Sequence, residues 1–249
     1  MNLPPELIDE IIRNLASDVR SLRNCSLVAR SWTYPSRKWL FKYVLVSKDT
    51  QQLWLSRISP TNVGLLRNIR SFTYVFDPCN GRTRTTHYLI DPLCPYLPSF
   101  RRLRRLGLHS ALLGVEVPQK IGLFSAFQHS LSSLSFNGCR VTPSALITLI
   151  NHFPLLARLA LRHLTCEADG EPIPELSRPL RGTLRITNCR TLDLALFDKL
   201  SNPPPELGRL ILRQVQLSDF YECIVGAQGG SVKYLKMDGH GVRGRERTS

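Results

Sequence analysis

Leu131-Ser132-Ser133-Leu134-Ser135-Phe136, running on into Asn137-Gly138-Cys139, decides how this chain folds. Its apolar positions obey the pattern L-x-x-L-x-L. Twenty-five residues later, Leu156-Ala157-Arg158-Leu159-Ala160-Leu161 repeats them. Working outward and admitting other apolar residues, the template is met at Ile69/Phe72/Tyr74, Leu103/Leu106/Leu108, Arg181/Leu184/Ile186, Leu207/Leu210/Leu212 and Val232/Leu235/Met237. The seven starts are separated by 34, 28, 25, 25, 26 and 25 residues. A period in this range marks a repeat architecture, in which each unit buries its apolar face only by stacking on its neighbours. Arg181 is the misfit, with Leu180 standing in for it. Cys139 and Cys189 each fall eight positions past a start. They read as buried structural thiols beside the turn at the end of the strand.

Helical stretches lie between the strands. Thr142 can cap a helix from Pro143 through Ala145, Leu146, Leu149 and Ile150, which Pro154 stops. Ser218 can cap Asp219 to Val225, with Gly229-Gly230 turning the chain back, and Leu194 to Leu200 ends at Pro203-Pro204-Pro205. One strand plus one helix per unit predicts an α/β fold. Over residues 69–249 it resembles a leucine-rich-repeat solenoid, with short parallel strands on the concave face and helices outside. The 34-residue first step and the Pro-rich Cys79–Pro98 stretch make the first units irregular. The polar tail from Asp238 to Ser249 carries no closing helix, and because solenoids need a polar cap, the array reads as truncated at its C-terminus.

Strand alternation turns the second and third x positions of each template outward. These fourteen positions include five basic and no acidic residues. Arg105, Ser133, Ser135, Arg158, Arg185, Arg209, Tyr234 and Lys236 are therefore candidates for binding an acidic or phosphorylated segment of a protein, since guanidinium groups suit carboxylate and phosphate. The same arginines equally fit a merely solvated face.

The N-terminus has a different pattern. Pro4-Pro5-Glu6 suits a helix start, and Leu7, Ile8, Ile11, Ile12 and Leu15 recur at helical spacing. Ser17 or Asp18 can cap a second helix with Leu22, Cys25, Val28 and Trp32 on one stripe. Pro35 then opens a short third turn carrying Trp39, Leu40 and Phe41, ahead of the β-prone Tyr43–Val46. Three helices in about forty residues cannot bury aliphatic rows on several faces unaided. They pack on the rest of the chain or present an apolar surface to a partner.

Leu3-Pro4-Pro5-Glu6-Leu7-Ile8-Asp9-Glu10-Ile11-Ile12, then Leu22, then Cys25-Ser26-Leu27-Val28-Ala29-Arg30-Ser31-Trp32 closely resembles an F-box of the form common in fungal proteins, over roughly residues 3–46. The resemblance implies docking on the SKP-type adaptor of an SCF (cullin–RING) ubiquitin ligase. Carried over by position, the adaptor contacts are Leu3, Pro4, Leu7, Ile8, Ile11, Leu22, Leu27 and Val28, while Trp32 holds the helices together. Taken as periodicity alone, the same residues fit the core of a helical bundle. The chain thus divides into an F-box domain (1–46), a helical connector (47–68) and the repeat region (69–249). The connector's helix, Pro break and Val63–Ile69 step also resemble the segment C-terminal to the F-box in such proteins.

With 249 residues, 43% hydrophobic and 21% charged, the composition is globular and excludes wholesale disorder. No apolar run approaches the ~18 residues of a membrane span, and the N-terminus lacks the basic and apolar regions of a signal peptide. The expected location is cytoplasmic or nuclear. Seven widely spaced cysteines without a C-x-x-C pair read as reduced thiols. The histidines form no metal-ligand spacing, and there is no nucleophile elbow or phosphate loop. Gly239-His240-Gly241-Val242-Arg243-Gly244 fits G-x-G-x-x-G, but the chain ends at Ser249 with no room for the helix that fingerprint needs. No catalytic residue, metal site or cofactor is expected. The formal charge of +14 divides as +3 over 1–46, +3 over 47–100 and +8 over 101–249. It leaves nucleic-acid binding as the alternative, through Arg101-Arg102-Leu103-Arg104-Arg105, Arg82/Arg84 and the Arg243–Arg247 tail. No recognisable nucleic-acid module accompanies these patches.

Overall fold

The computed structural model describes residues 3–57, 63–76, 96–114, 117, 121–168, 170–189, 196, 199–200, 206–213 and 234–238. The expected helix at Asp219–Val225, the Pro203–Pro205 stop, Arg82, Arg84 and the tail from Gly239 onward lie outside them. The fold is α/β.

Three helices come first: α1 (Pro5–Asn14), α2 (Val19–Val28) and α3 (Arg30–Leu40). Asp18 caps α2, its carboxylate accepting from the backbone N–H of Arg20 and Ser21 at 3.0 and 3.1 Å. Those bonds, with the Ser21 hydroxyl foremost, hold the Asp18 carboxyl below its ordinary value. Pro35 does not open a third helix as the sequence suggested. It sits inside α3, where it removes one backbone donor. The start of the helix is secured elsewhere, by Thr33 Oγ1 donating to the carbonyls of Ala29 and Ser26. Ile8, Ile12 and Leu22 form the core of this unit, with Leu15, Cys25, Trp32, Trp39 and Leu40 packed around them. Trp32 does bind the helices together.

The strand β1 (Tyr43–Ser47) belongs with the sheet, not with the helices before it. It pairs in parallel with β2 (Ser71–Val75), and Val46 is buried in the sheet's own core. The helical unit therefore ends near Lys42, whose carbonyl accepts from the N–H groups of Arg70 and Ser71. Between these strands lie α4 (Lys48–Arg57) and α5 (Val63–Leu66), the expected connector. Trp54 of α4 lies over Phe72, with ring centroids 6.1 Å apart.

Eight strands form one parallel sheet among the described residues, and each is added beside its predecessor in chain order. After β1 and β2 come β3 (Arg105–His109), β5 (Ser133–Asn137), β7 (Arg158–Arg162), β9 (Arg181–Thr187), β10 (Glu206–Arg213) and β11 (Leu235–Asp238). The two-residue strands β4 (Leu112–Leu113), β6 (Arg140–Val141) and β8 (Thr165–Cys166) form a second parallel ladder beside it. From Ile69 to Leu161, the template residues of the first four units are all buried, as are Leu180, Leu184, Ile186, Leu207, Leu210 and Leu212. Arg181 is exposed. Each fully buried aliphatic or aromatic side chain contributes about 1.5–3 kcal/mol.

Four strands leave the sheet by the same turn. Ser110, Gly138, His163 and Asn188, each seven past its template start, have φ between 48° and 64°. Their N–H groups donate to the next strand's last carbonyl, at Asn137, Arg162, Thr187 and Arg213 respectively. The residue after each one plugs inward: Ala111, Cys139, Leu164 and Cys189 are all buried. The Sγ of Cys139 lies 3.2 Å from the carbonyl of Leu108, and that of Cys189 lies 3.6 Å from the carbonyl of Leu161. Burial raises the pKa of both thiols. Neither these cysteines nor Cys25 and Cys166 form a disulfide.

The links between strands depart from one helix per unit. Among the described residues, α6 (Pro143–His152), capped by Thr142 Oγ1 accepting from Ala145 N–H at 3.4 Å, matches the expectation in full. A 3-10 turn at Ile121–Phe127 serves the unit before it. Between β8 and β9 the described chain is irregular, because Pro172, Pro174 and Pro179 deny it helical hydrogen bonds. Asn151 on α6 secures that segment, donating to the Glu175 carbonyl and accepting from Ser177 N–H, both at 2.8 Å.

Candidate functional site

Two surfaces stand out. The first is on the helices. Leu3 just ahead of α1, Leu7 (46% exposed) and Ile11 on the outer side of α1, and Leu27 (84%) and Val28 in the last turn of α2 are all open to solvent. Pro4 is also exposed and occupies the N-cap of α1, its carbonyl accepting from Leu7 and Ile8 N–H. Two of the eight sequence-chosen contacts behave differently. Ile8 is 3% exposed and Leu22 1%, so they build the small core and cannot touch a partner without opening it. Helical spacing explains the split within α1: positions 7 and 11 share one stripe, whereas 8 and 12 fall on the next. Val19 and Tyr34, which the motif did not single out, are exposed as well.

The second surface is the open face of the sheet, away from the buried leucines, where strand pairing sets side chains in three rows. The first row is Tyr43, Ser71, Arg105, Ser133, Arg158, Thr183, Arg209, with Tyr234 beyond it. In the second, Leu45, Thr73, Gly107, Ser135, Ala160, Arg185, Ile211 and Lys236 succeed one another. All eight sequence-chosen positions lie in these two rows. Arg105, Arg158, Arg209 and Tyr234 are exposed, and Ser133, Ser135, Arg185 and Lys236 half-buried. Gly107 and Ile211 are buried on this face. A Cβ on Gly107 would meet Thr73 Oγ1 at 3.0 Å.

A third row escaped the sequence pattern: Val75, His109, Asn137, Arg162, Thr187 and Arg213. The signal was present, because alternation continues past the template's last leucine. Arg185 on β9 consequently lies diagonal to Arg158 and Arg162 on β7 and to Arg209 and Arg213 on β10. Diagonal neighbours are about 7–8 Å apart. Burial lowers the Arg185 pKa, and the charges of Arg162, Arg213 and Arg209 lower it further. From β1 to β10 no position in these rows is acidic, and Asp238 of β11 stands in register with Arg213. Guanidinium groups so placed can donate charge-assisted hydrogen bonds to an anion. The Arg209 guanidinium lies 4.6 Å from the centre of the Tyr234 ring.

Among the described residues no group of His, Cys, Asp and Glu could hold a metal ion, and no helix is long and apolar enough to cross a membrane. No family model and no curated protein matches the chain.

Proposed function

We propose that this chain is a substrate-recognition subunit of an SCF (cullin–RING) E3 ubiquitin ligase. The three helices act as the F-box and dock on the SKP-type adaptor. The eight-stranded region acts as a leucine-rich-repeat solenoid and captures an acidic or phosphorylated protein. It contributes no catalytic group, since ubiquitin transfer belongs to other subunits. The observation that carries this reading is the outward placement of Leu3, Leu7, Ile11, Leu27 and Val28 on a unit whose own core is closed without them. Support for the second half comes from parallel strands added in chain order with a repeated turn geometry. Nucleic-acid binding draws less support: the exposed aromatics of this face, Tyr43 and Tyr234, stand at opposite edges of the sheet, whereas single-strand binders stack bases on successive aromatic faces.

Co-expression with an SKP-type adaptor tests the docking step. The wild-type chain should co-purify with the adaptor, Leu7→Asp with Ile11→Asp should abolish this, and Arg158→Glu with Arg209→Glu should leave it intact while ending substrate capture. A wild-type chain that never co-purifies would rule the F-box reading out.

A further inference from the structure

The cations of the open face are not scattered over it. In the first row they occupy β3, β7 and β10, every second strand, with Ser133 and Thr183 on the strands between. The second row repeats this spacing with Arg185 on β9 and Lys236 on β11, and the third with Arg162 on β7 and Arg213 on β10. Like charges directly opposite one another destabilise a sheet, so the alternation has a folding reason. It also fixes a ruler. Neighbouring strands are about 4.8 Å apart, so cations within one row recur every ~10 Å.

An extended or polyproline-like peptide rises about 3.1–3.4 Å per residue, so three residues span ~10 Å. In the polyproline form, with three residues per turn, residues i, i+3 and i+6 also share one side of the chain. We infer that the open face reads an extended protein segment lying across the strands with an acidic side chain at every third residue. Three successive carboxylates would meet Arg105, Arg158 and Arg209, while the hydroxyls of Ser133 and Thr183 lie between them and can bond the segment's backbone. The inference rests on the reading of this face as the capturing surface.

Fluorescence anisotropy with the full-length chain tests it. Three labelled peptides of identical composition carry three glutamates at every third, every second or consecutive positions. The every-third peptide should bind about five-fold more tightly than either of the others. Arg158→Gln, which removes the middle cation at an exposed site, should erase that preference, and Arg158→Lys should keep most of it. Arg13→Gln with Arg23→Gln removes more charge from the helices and should change nothing. Equal binding of the three peptides, absence of binding, or tighter binding of a single-stranded oligonucleotide of equal charge would overturn the inference. Adaptor co-purification reads the helices alone. Loss of the spacing preference with adaptor binding intact therefore rejects the ruler and leaves the F-box reading standing.

Discussion

Leu7 and Ile8 are neighbours in α1 with opposite fates, one open to solvent and the other closed in a core of three buried residues. In β5 the apolar pair Leu134 and Phe136 is buried together, and the residues turned outward are polar. The helical unit keeps a row of aliphatic side chains outside its core, whereas from β2 to β10 the sheet turns its template leucines and aromatics inside and its charges outside. Removing apolar surface from water is favourable at about 25 cal/mol per Å². An aliphatic row left in water thus forgoes stability that a partner can restore by covering it. The two surfaces consequently suit different contacts, apolar at the helices and anionic at the sheet.

That contrast can be broken by mutation. The largest effect belongs to the sheet's interior: Phe136→Ala should lower stability by about 3–5 kcal/mol in denaturant unfolding, because it opens a cavity in a fully buried layer. Next comes Ile8→Ala, at roughly 2–4 kcal/mol from the helical unit. Leu7→Ala, one residue away, should stay within about 0.5 kcal/mol while weakening adaptor co-purification. Equal losses for Leu7 and Ile8 would show that the outer row is core after all.

Gly182→Ala probes the sheet backbone. With φ of 79° and a would-be Cβ 2.3 Å from the Ala157 carbonyl oxygen, alanine should cost roughly 2–3 kcal/mol, whereas Gly122→Ala, in open space, should be close to neutral. The smallest effect is on pH. Burial lowers the pKa of His109 and His152 below the ordinary 6.5, with Arg162 assisting at His109. A lowered folded value means stability fully present above 6.5 and lost as pH falls through the folded values. The melting temperature should drop modestly between neutral and mildly acid pH, and His109→Gln with His152→Gln should flatten the profile.

Much of this was legible in the sequence where one pattern had one outcome. The L-x-x-L-x-L spacing located the strands, Leu180 did replace Arg181 inside, and Cys139 and Cys189 took the turn positions assigned to them. Thr142 and Asp18 capped the helices expected of them. Where a pattern had two physical outcomes, reading failed. Pro35 can start a helix or sit within one, and packing of α3 on α2 settled it. Ile8 and Leu7 are equally hydrophobic, so only the direction of the core distinguishes them. Tyr43–Val46 was correctly β-prone, but its strand partner, β2, lies beyond the connector. The left-handed turns were hidden for another reason: Gly138 and Asn188 suit positive φ, but Ser110 does not advertise it and adopts it with its hydrogen bond to the next strand.

Those turn bonds give the array a direction. At the start of a strand, N–H groups point back to the preceding unit, as Arg104 and Arg105 do to Arg70. At its end they point forward, as Ser110 does to Asn137. The 34-residue and 25-residue steps share the backward-pointing bonds, so a change in length is absorbed in the links and leaves the seams untouched. Residues can therefore be added to a link without loss of a bond between strands, whereas one residue added inside a strand displaces every such bond beyond it.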